Sequence, residues 1–212
     1  MKLKQHLDIG NKVINDNIIK TFEVNKVAYL FGNVAPDLNC IYPAHRLKTT
    51  EERFYKRLKR VDKASTNLIK SFTLGVITHY ICDYFCYAHN IESLGVSHKK
   101  YENNLYRYYE SHLSEMTENY EKLLEHWLVF KEQSKEKCIV NNSLDEKAHI
   151  EFIMNQLKNM NELYISSNIL SKKDNWTTKV EQMQKDIEYT TFMIEHLLCI
   201  VLEPFKCVVG EF

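Results

Sequence analysis

The chain has 212 residues, enough to bury one sizeable core, and residues 1–212 are read as a single domain. Its 28 Lys and Arg are balanced by 28 Asp and Glu, which excludes a global field that draws nucleic acid or anionic lipid; any such partner is recognised locally. Only five Gly and three Pro exclude a sheet protein built on many tight turns and point to an all-α, compact, multi-helix domain.

From the N-terminus, Ile9, Val13, Ile14, Ile18 and Phe22 recur at helical spacing, which predicts a first helix starting near His6 within the stretch from Leu7 to Val27. The segment from Tyr29 to His45 carries Gly32, Pro36 and Pro43 and reads as an irregular, inward-packed loop. Thr50 to Lys63 is strongly charged, as a solvated helical face or connecting arm would be. Ser65 to Ala88 is the most apolar helix, with Leu68, Ile69, Phe72, Leu74, Ile77 and Ile81 wrapping nearly all round it, and belongs at the centre of the domain. A short loop over Asn90 to Ser97 precedes a helix capped by Ser97 and running through Tyr109 or beyond. Three more helices follow, near Glu115–Glu136, Leu144–Leu170 and Thr177–Leu202.

No secretory signal is visible at the N-terminus, and no run approaches the roughly 18 apolar residues of a transmembrane segment. The six cysteines show no paired framework, so the expectation is a cytoplasmic protein with reduced thiols.

Chemistry concentrates in the first half, which holds five of the nine histidines beside carboxylates. His79 and Asp83 are four apart on the apolar helix, so they share one face, and His98 and Glu102 repeat that spacing on the next helix. His89 lies six residues beyond Asp83, where a short return aims it at His98. A carboxylate on an apolar helix demands a cationic partner, because burying it alone costs several kcal/mol. Neutral imidazole mixed with carboxylate suits zinc, with His89, His98 and Glu102 as one set and Asp37, His45, His79 and Asp83 as another. His112, His126, His149 and His196 stand alone among helical charges and read as ordinary, while Cys82 and Cys86 read as small core residues.

The ordered set His6, Asp37, His45, His79, Asp83, His89, His98 and Glu102 resembles the ligand pattern of the zinc-dependent phospholipase C enzymes and, more distantly, of the single-strand-specific zinc nucleases. The most specific stretches are Phe31-Gly-Asn-Val-Ala-Pro-Asp37, Gly75 through His79 and Asp83 to His89, and His98-x-x-x-Glu102. The resemblance implies a helical bundle in which Asp37, His45, His79 and Asp83 hold one zinc ion and His89, His98 and Glu102 a second. It also implies that Asp83 bridges to a third ion near His6. Secreted members give that third ion the amine and carbonyl of an N-terminal tryptophan, whereas this sequence opens on Met1 and has no Trp before Trp127, so two ions are the expectation.

The implied activity is phosphodiester hydrolysis by a metal-activated water, phospholipase C-like on a phospholipid headgroup, with Asp37 orienting that water or taking its proton. Nucleic acid enters only as a substrate in the nuclease-like alternative; a metal-binding helical domain without catalysis is the other. Leu38, Ile41, Tyr42 and Tyr84 are candidate rim residues for the apolar part of a substrate.

Overall fold

The computed structural model describes residues 1–15, 23–38, 47–61, 63–90, 98–112, 128–129, 139–140, 143–144, 146–167 and 176–202. These form α1 (Leu3–Asn15), α2 (Lys26–Val34), a 3₁₀ turn (Ala35–Asp37), α3 (Leu47–Val61), α4 (Asn67–Tyr84) and α5 (Tyr87–Asn90). Then come α6 (His98–His112), two two-residue strands, β1 (Ile139–Val140) and β2 (Ser143–Leu144), α7 (Glu146–Ser166) and α8 (Trp176–Leu202). The strands form a minimal antiparallel hairpin with Ile139 opposite Leu144, and the fold is all-α as the composition required.

The apolar helix α4 occupies the centre and touches α1, α2, α3, α5 and α8. Thr66 caps it, its hydroxyl accepting from Ile69 N at 3.3 Å. From Leu74 to Tyr84 every residue is buried, but the first turn is not. Leu68 and Ile69, expected inside, are 60% and 45% exposed, and with Val27 and Phe31 of α2 they line a surface groove of about 600 Å³. The charged run of α3 is an amphipathic helix whose inner stripe, Phe54, Leu58 and Val61, is buried.

The expected irregular loop over 29–45 is corrected in its first part, which is helix. Asn25 caps α2 by accepting from Ala28 N at 3.0 Å, and the helix runs to Val34 straight through Gly32. Gly32 serves packing rather than chain breaking: a β-carbon there would lie 2.0 Å from the carbonyl oxygen of Phe72 on α4. Gly75 does the same in reverse, its missing β-carbon leaving room for the Tyr29 carbonyl, so the two backbones touch. The first helix is described from Leu3 to Asn15; residues 16–22 of the expected span lie outside the described residues, and 23–25 are not helical. The Ser97 cap and most of the helix expected at Glu115–Glu136 also fall outside the described residues. Among the described residues no helix is long and apolar enough to cross a membrane.

Candidate metal centre

Asp37 ends the 3₁₀ turn that follows α2, a turn with Pro36 at its second position and closed by Leu38 N on the Ala35 carbonyl at 3.1 Å. The close α2–α4 crossing brings this turn against the last turns of α4, which carry His79 and Asp83. His6 arrives from α1, fully buried, and stacks on His79 with ring centroids 4.0 Å apart. Its Nε2 lies 3.8 Å from Asp37 Oδ2 and 3.5 Å from Asp83 Oδ1; His79 Nε2 lies 3.8 Å from Asp37 Oδ1 and 3.1 Å from Asp83 Oδ2. His6, Asp37 and His79 thus offer ligand atoms within 4.8 Å of one another.

A second trio gathers around the end of α4. After Tyr84 the chain turns through Phe85 and Cys86 into α5, with Cys86 N on the Asp83 carbonyl and His89 N on the Cys86 carbonyl. Carbonyls left open at the end of a helix need donors, and here Asn90 Nδ2 supplies Tyr84 O and Cys86 O at 2.9 Å while Asn161 Nδ2 reaches Tyr84 O at 2.8 Å. The return aims His89 at α6, where His98 and Glu102 sit one turn apart. His89 Nε2 and His98 Nε2 stand 3.3 Å and 3.0 Å from the same oxygen, Glu102 Oε1. His89, His98 and Glu102 also converge within 4.8 Å.

Asp83 joins the two trios. Its Oδ2 faces His79, while its Oδ1 faces both His6 and His89, the latter at 3.3 Å. The Met1 amine folds back ahead of α1 to the same place, 2.8 Å from Asp83 Oδ1, 3.0 Å from Glu102 Oε1 and 3.1 Å from His89 Nε2. Burial works against its charge, yet the Asp83 and Glu102 carboxylates hold it protonated well above the usual amine range. The amine reaches the cluster because α1 starts at Leu3 and Met1 and Lys2 lie ahead of it.

The electrostatics suit ligands. Burial and the neighbouring His79 push His6 well below the usual imidazole range, and burial does the same to His89, so both rings are neutral. Burial favours the protonated form of Glu102, but His89, His98 and the Met1 ammonium outweigh it and hold the carboxylate ionised. His98, hydrogen-bonded to Glu102 and half exposed, is raised. Among the described residues neither ring nitrogen of buried His6 makes a well-formed hydrogen bond, the nearest acceptor to Nε2 being Asp83 Oδ1 at 3.5 Å. Such an orphaned pair is costly unless something electron-poor meets it.

Seven of the eight sequence-derived ligands therefore meet at one place; His45 lies outside the described residues, as do Ile41 and Tyr42. Tyr84 is withdrawn as a rim residue, since it is 2% exposed and its hydroxyl is bound to Glu51 Oε1 at 2.7 Å. Cys82 and Cys86 are fully buried free thiols, as core residues should be. Sequence reasoning missed Asn33, whose carbonyl lies 2.9 Å from His79 Nδ1 and whose amide donates to the His6 carbonyl at 2.5 Å, and also Asp186 on α8. Asn33 lies within a stretch already singled out; Asp186 gave no local signal.

The all-α bundle thus brings together two linked imidazole and carboxylate trios that could each hold a metal ion. The model of the zinc-dependent phospholipase C family matches residues 5–170, and the chain belongs to that family. No curated protein and no solved structure matches it.

Proposed function

We propose that this protein is a zinc-dependent phosphoric-ester hydrolase that cleaves the headgroup from a phospholipid at the glycerol side of the phosphate, as its family membership implies. The observation that carries the reading is Asp83, one carboxylate facing His6 and His79 on one side and His89 on the other. The donors fit zinc: imidazoles, of which His6 and His89 are held neutral, and carboxylates, of which Glu102 is held ionised, with a cationic amine already drawn to the midpoint. Asp37, His79 and Asp83, with His6 beside them and His45 on the family pattern, would hold one ion; His89, His98 and Glu102 would hold a second. The Met1 amine and His6, both against Asp83, are the donors available to a third.

Zinc bound there supplies a Lewis acid for the phosphoryl oxygens and lowers the pKa of an attacking water toward neutrality. The chain's own residues do the rest. Asp37, the open edge of the first trio with a side chain 23% exposed, takes the proton of the incoming water. Asp83 fixes the spacing of the two trios. Burial of His6 and His79 keeps bulk water from one side, while exposed His98 leaves the other open to a substrate. The exposed apolar groove of Val27, Phe31, Leu68 and Ile69 favours a lipid surface over a soluble ester.

The test is metal content after purification without added zinc, followed by hydrolysis of a chromogenic phosphocholine ester and of single-stranded DNA. Bound zinc with ester turnover and intact DNA is the expected result. Turnover of DNA alone would give the site to a nuclease, and zinc without turnover would leave a metal-binding helical domain.

A further inference from the structure

Asp186 lies on α8, beyond the residues matched by the family model, and is fully buried. A carboxylate has about four lone-pair sites, and here four donors fill them. Oδ2 accepts from the backbone N–H of Tyr87 at 2.9 Å and from the Tyr101 hydroxyl at 2.9 Å. Oδ1 accepts from the Tyr164 hydroxyl at 2.6 Å and from Gln182 Nε2 at 2.9 Å.

The placement of the first two donors is what matters. Tyr87 stands two residues before His89 on α5, and Tyr101 immediately precedes Glu102 on α6. One oxygen atom therefore ties together the two segments that bring His89, His98 and Glu102 to a point. The other oxygen is locked by Tyr164 on α7 and by Gln182 one turn earlier on α8, so the knot is anchored in helices that carry none of the proposed ligands. Groups behind a ligand set its orientation, and their loss typically costs about 10- to 100-fold in metal affinity.

We propose that Asp186 is a positioning residue for the second metal trio: through Tyr87 N–H and the Tyr101 hydroxyl it sets the distance between His89 and Glu102. The inference rests on the zinc-binding reading above. It predicts an asymmetry between two tyrosines that touch the same carboxylate. Tyr101 connects Asp186 to the ligand-bearing α6, whereas Tyr164 connects it only to α7.

Zinc affinity, measured by competition with a chromophoric chelator, and the melting temperature of the metal-free protein are compared for wild type, Tyr101→Phe, Tyr164→Phe, His98→Ala and Tyr101→Phe/His98→Ala. Tyr101→Phe is expected to weaken one zinc by about tenfold, the same ion that His98→Ala weakens, and to add little in the double variant. Tyr164→Phe is expected to lower the melting temperature while leaving both zinc affinities as in wild type. Equal zinc affinities in wild type and Tyr101→Phe overturn the inference. So does an equal weakening by both tyrosine variants, which would make the knot a support for the whole fold. A wild-type protein that binds no zinc removes the hydrolase reading itself, and this inference with it.

Discussion

His79 donates its Nδ1 proton to the backbone carbonyl of Asn33 at 2.9 Å, an oxygen that can only accept. In the neutral ring this leaves the Nε2 lone pair toward Asp83 Oδ2, 3.1 Å away, and Asp37 Oδ1, 3.8 Å away. Electron pairs facing one another at such distances repel unless a cation lies among them, and metal-ligating histidines are commonly oriented by a carbonyl on the far nitrogen in this way.

Asp83→Asn replaces the carboxylate that joins the two trios. Hydrolysis is expected to fall by more than about 100-fold, since even groups behind the ligands cost up to that much. The stabilisation by zinc, about 2.7 kcal/mol at a concentration 100 times the dissociation constant, is expected to disappear with it. Melting curves with and without zinc read this directly. His196→Ala is the control, because His196 stacks on Phe192 and meets its carbonyl at 2.8 Å on α8, a helix that carries none of the proposed ligands; it should keep the zinc-dependent rise.

Gly75→Ala would place a β-carbon 2.0 Å from the Tyr29 carbonyl oxygen and 2.7 Å from Asn33 N, both backbone atoms without rotamers to yield. The helices have to separate, at a cost of about 3 kcal/mol, the upper end for overpacking. Urea unfolding checks the stability. Because Asp37 follows α2 and His79 rides on α4, activity should fall further than the lost stability explains.

How far the site was legible follows from the range over which its signals act. The pairs His79/Asp83 and His98/Glu102 are one turn apart on single helices, so spacing alone places each on one face. Gly32 misled, since a glycine that lets two helices touch looks locally like one that ends a helix. Asp186 was invisible because two of its partners, Tyr87 and Tyr101, are 99 and 85 positions away, and periodicity carries no information at that separation. Leu68 and Ile69 were expected inside because composition tells an apolar residue from a polar one, not a core from an uncovered flank.

Burial pushes the Asp186 carboxyl up to about 6, against the pull of its four hydrogen bonds. Its folded-state value thus lies above the unfolded one of 3.8, so the folded chain holds this proton more tightly. The resulting stabilisation is complete below about pH 4 and is lost as pH rises to about 6, a change of roughly 3 kcal/mol at 1.4 kcal/mol per unit. Asp186→Asn cannot titrate there. In protein stripped of metal, the stability gap between wild type and Asp186→Asn should narrow between pH 4 and 6 and stay level above, as measured by denaturant unfolding.

Phe31→Ser combined with Leu68→Ser removes two exposed apolar groups from the groove without entering the core. If that surface meets lipid, turnover on phosphatidylcholine vesicles should drop about tenfold, the equivalent of 1.4 kcal/mol of lost apolar contact. Turnover of a soluble phosphocholine ester should be unchanged, and equal losses on both substrates would count against lipid contact.

The two trios differ in their access to solvent: the side chains of His6 and His79 are 0% exposed, whereas that of His98 is 48% exposed. An ion in the outer trio can trade its ligands for those of a competing chelator one at a time, while one in the inner trio can lose Asp37 at the open edge but must wait for the surrounding helices to open before it gives up His6 and His79. Stopped-flow release into excess chelator should therefore run in two phases. The fast phase should belong to the ion beside His98, and the slow one should keep pace with amide exchange in α4.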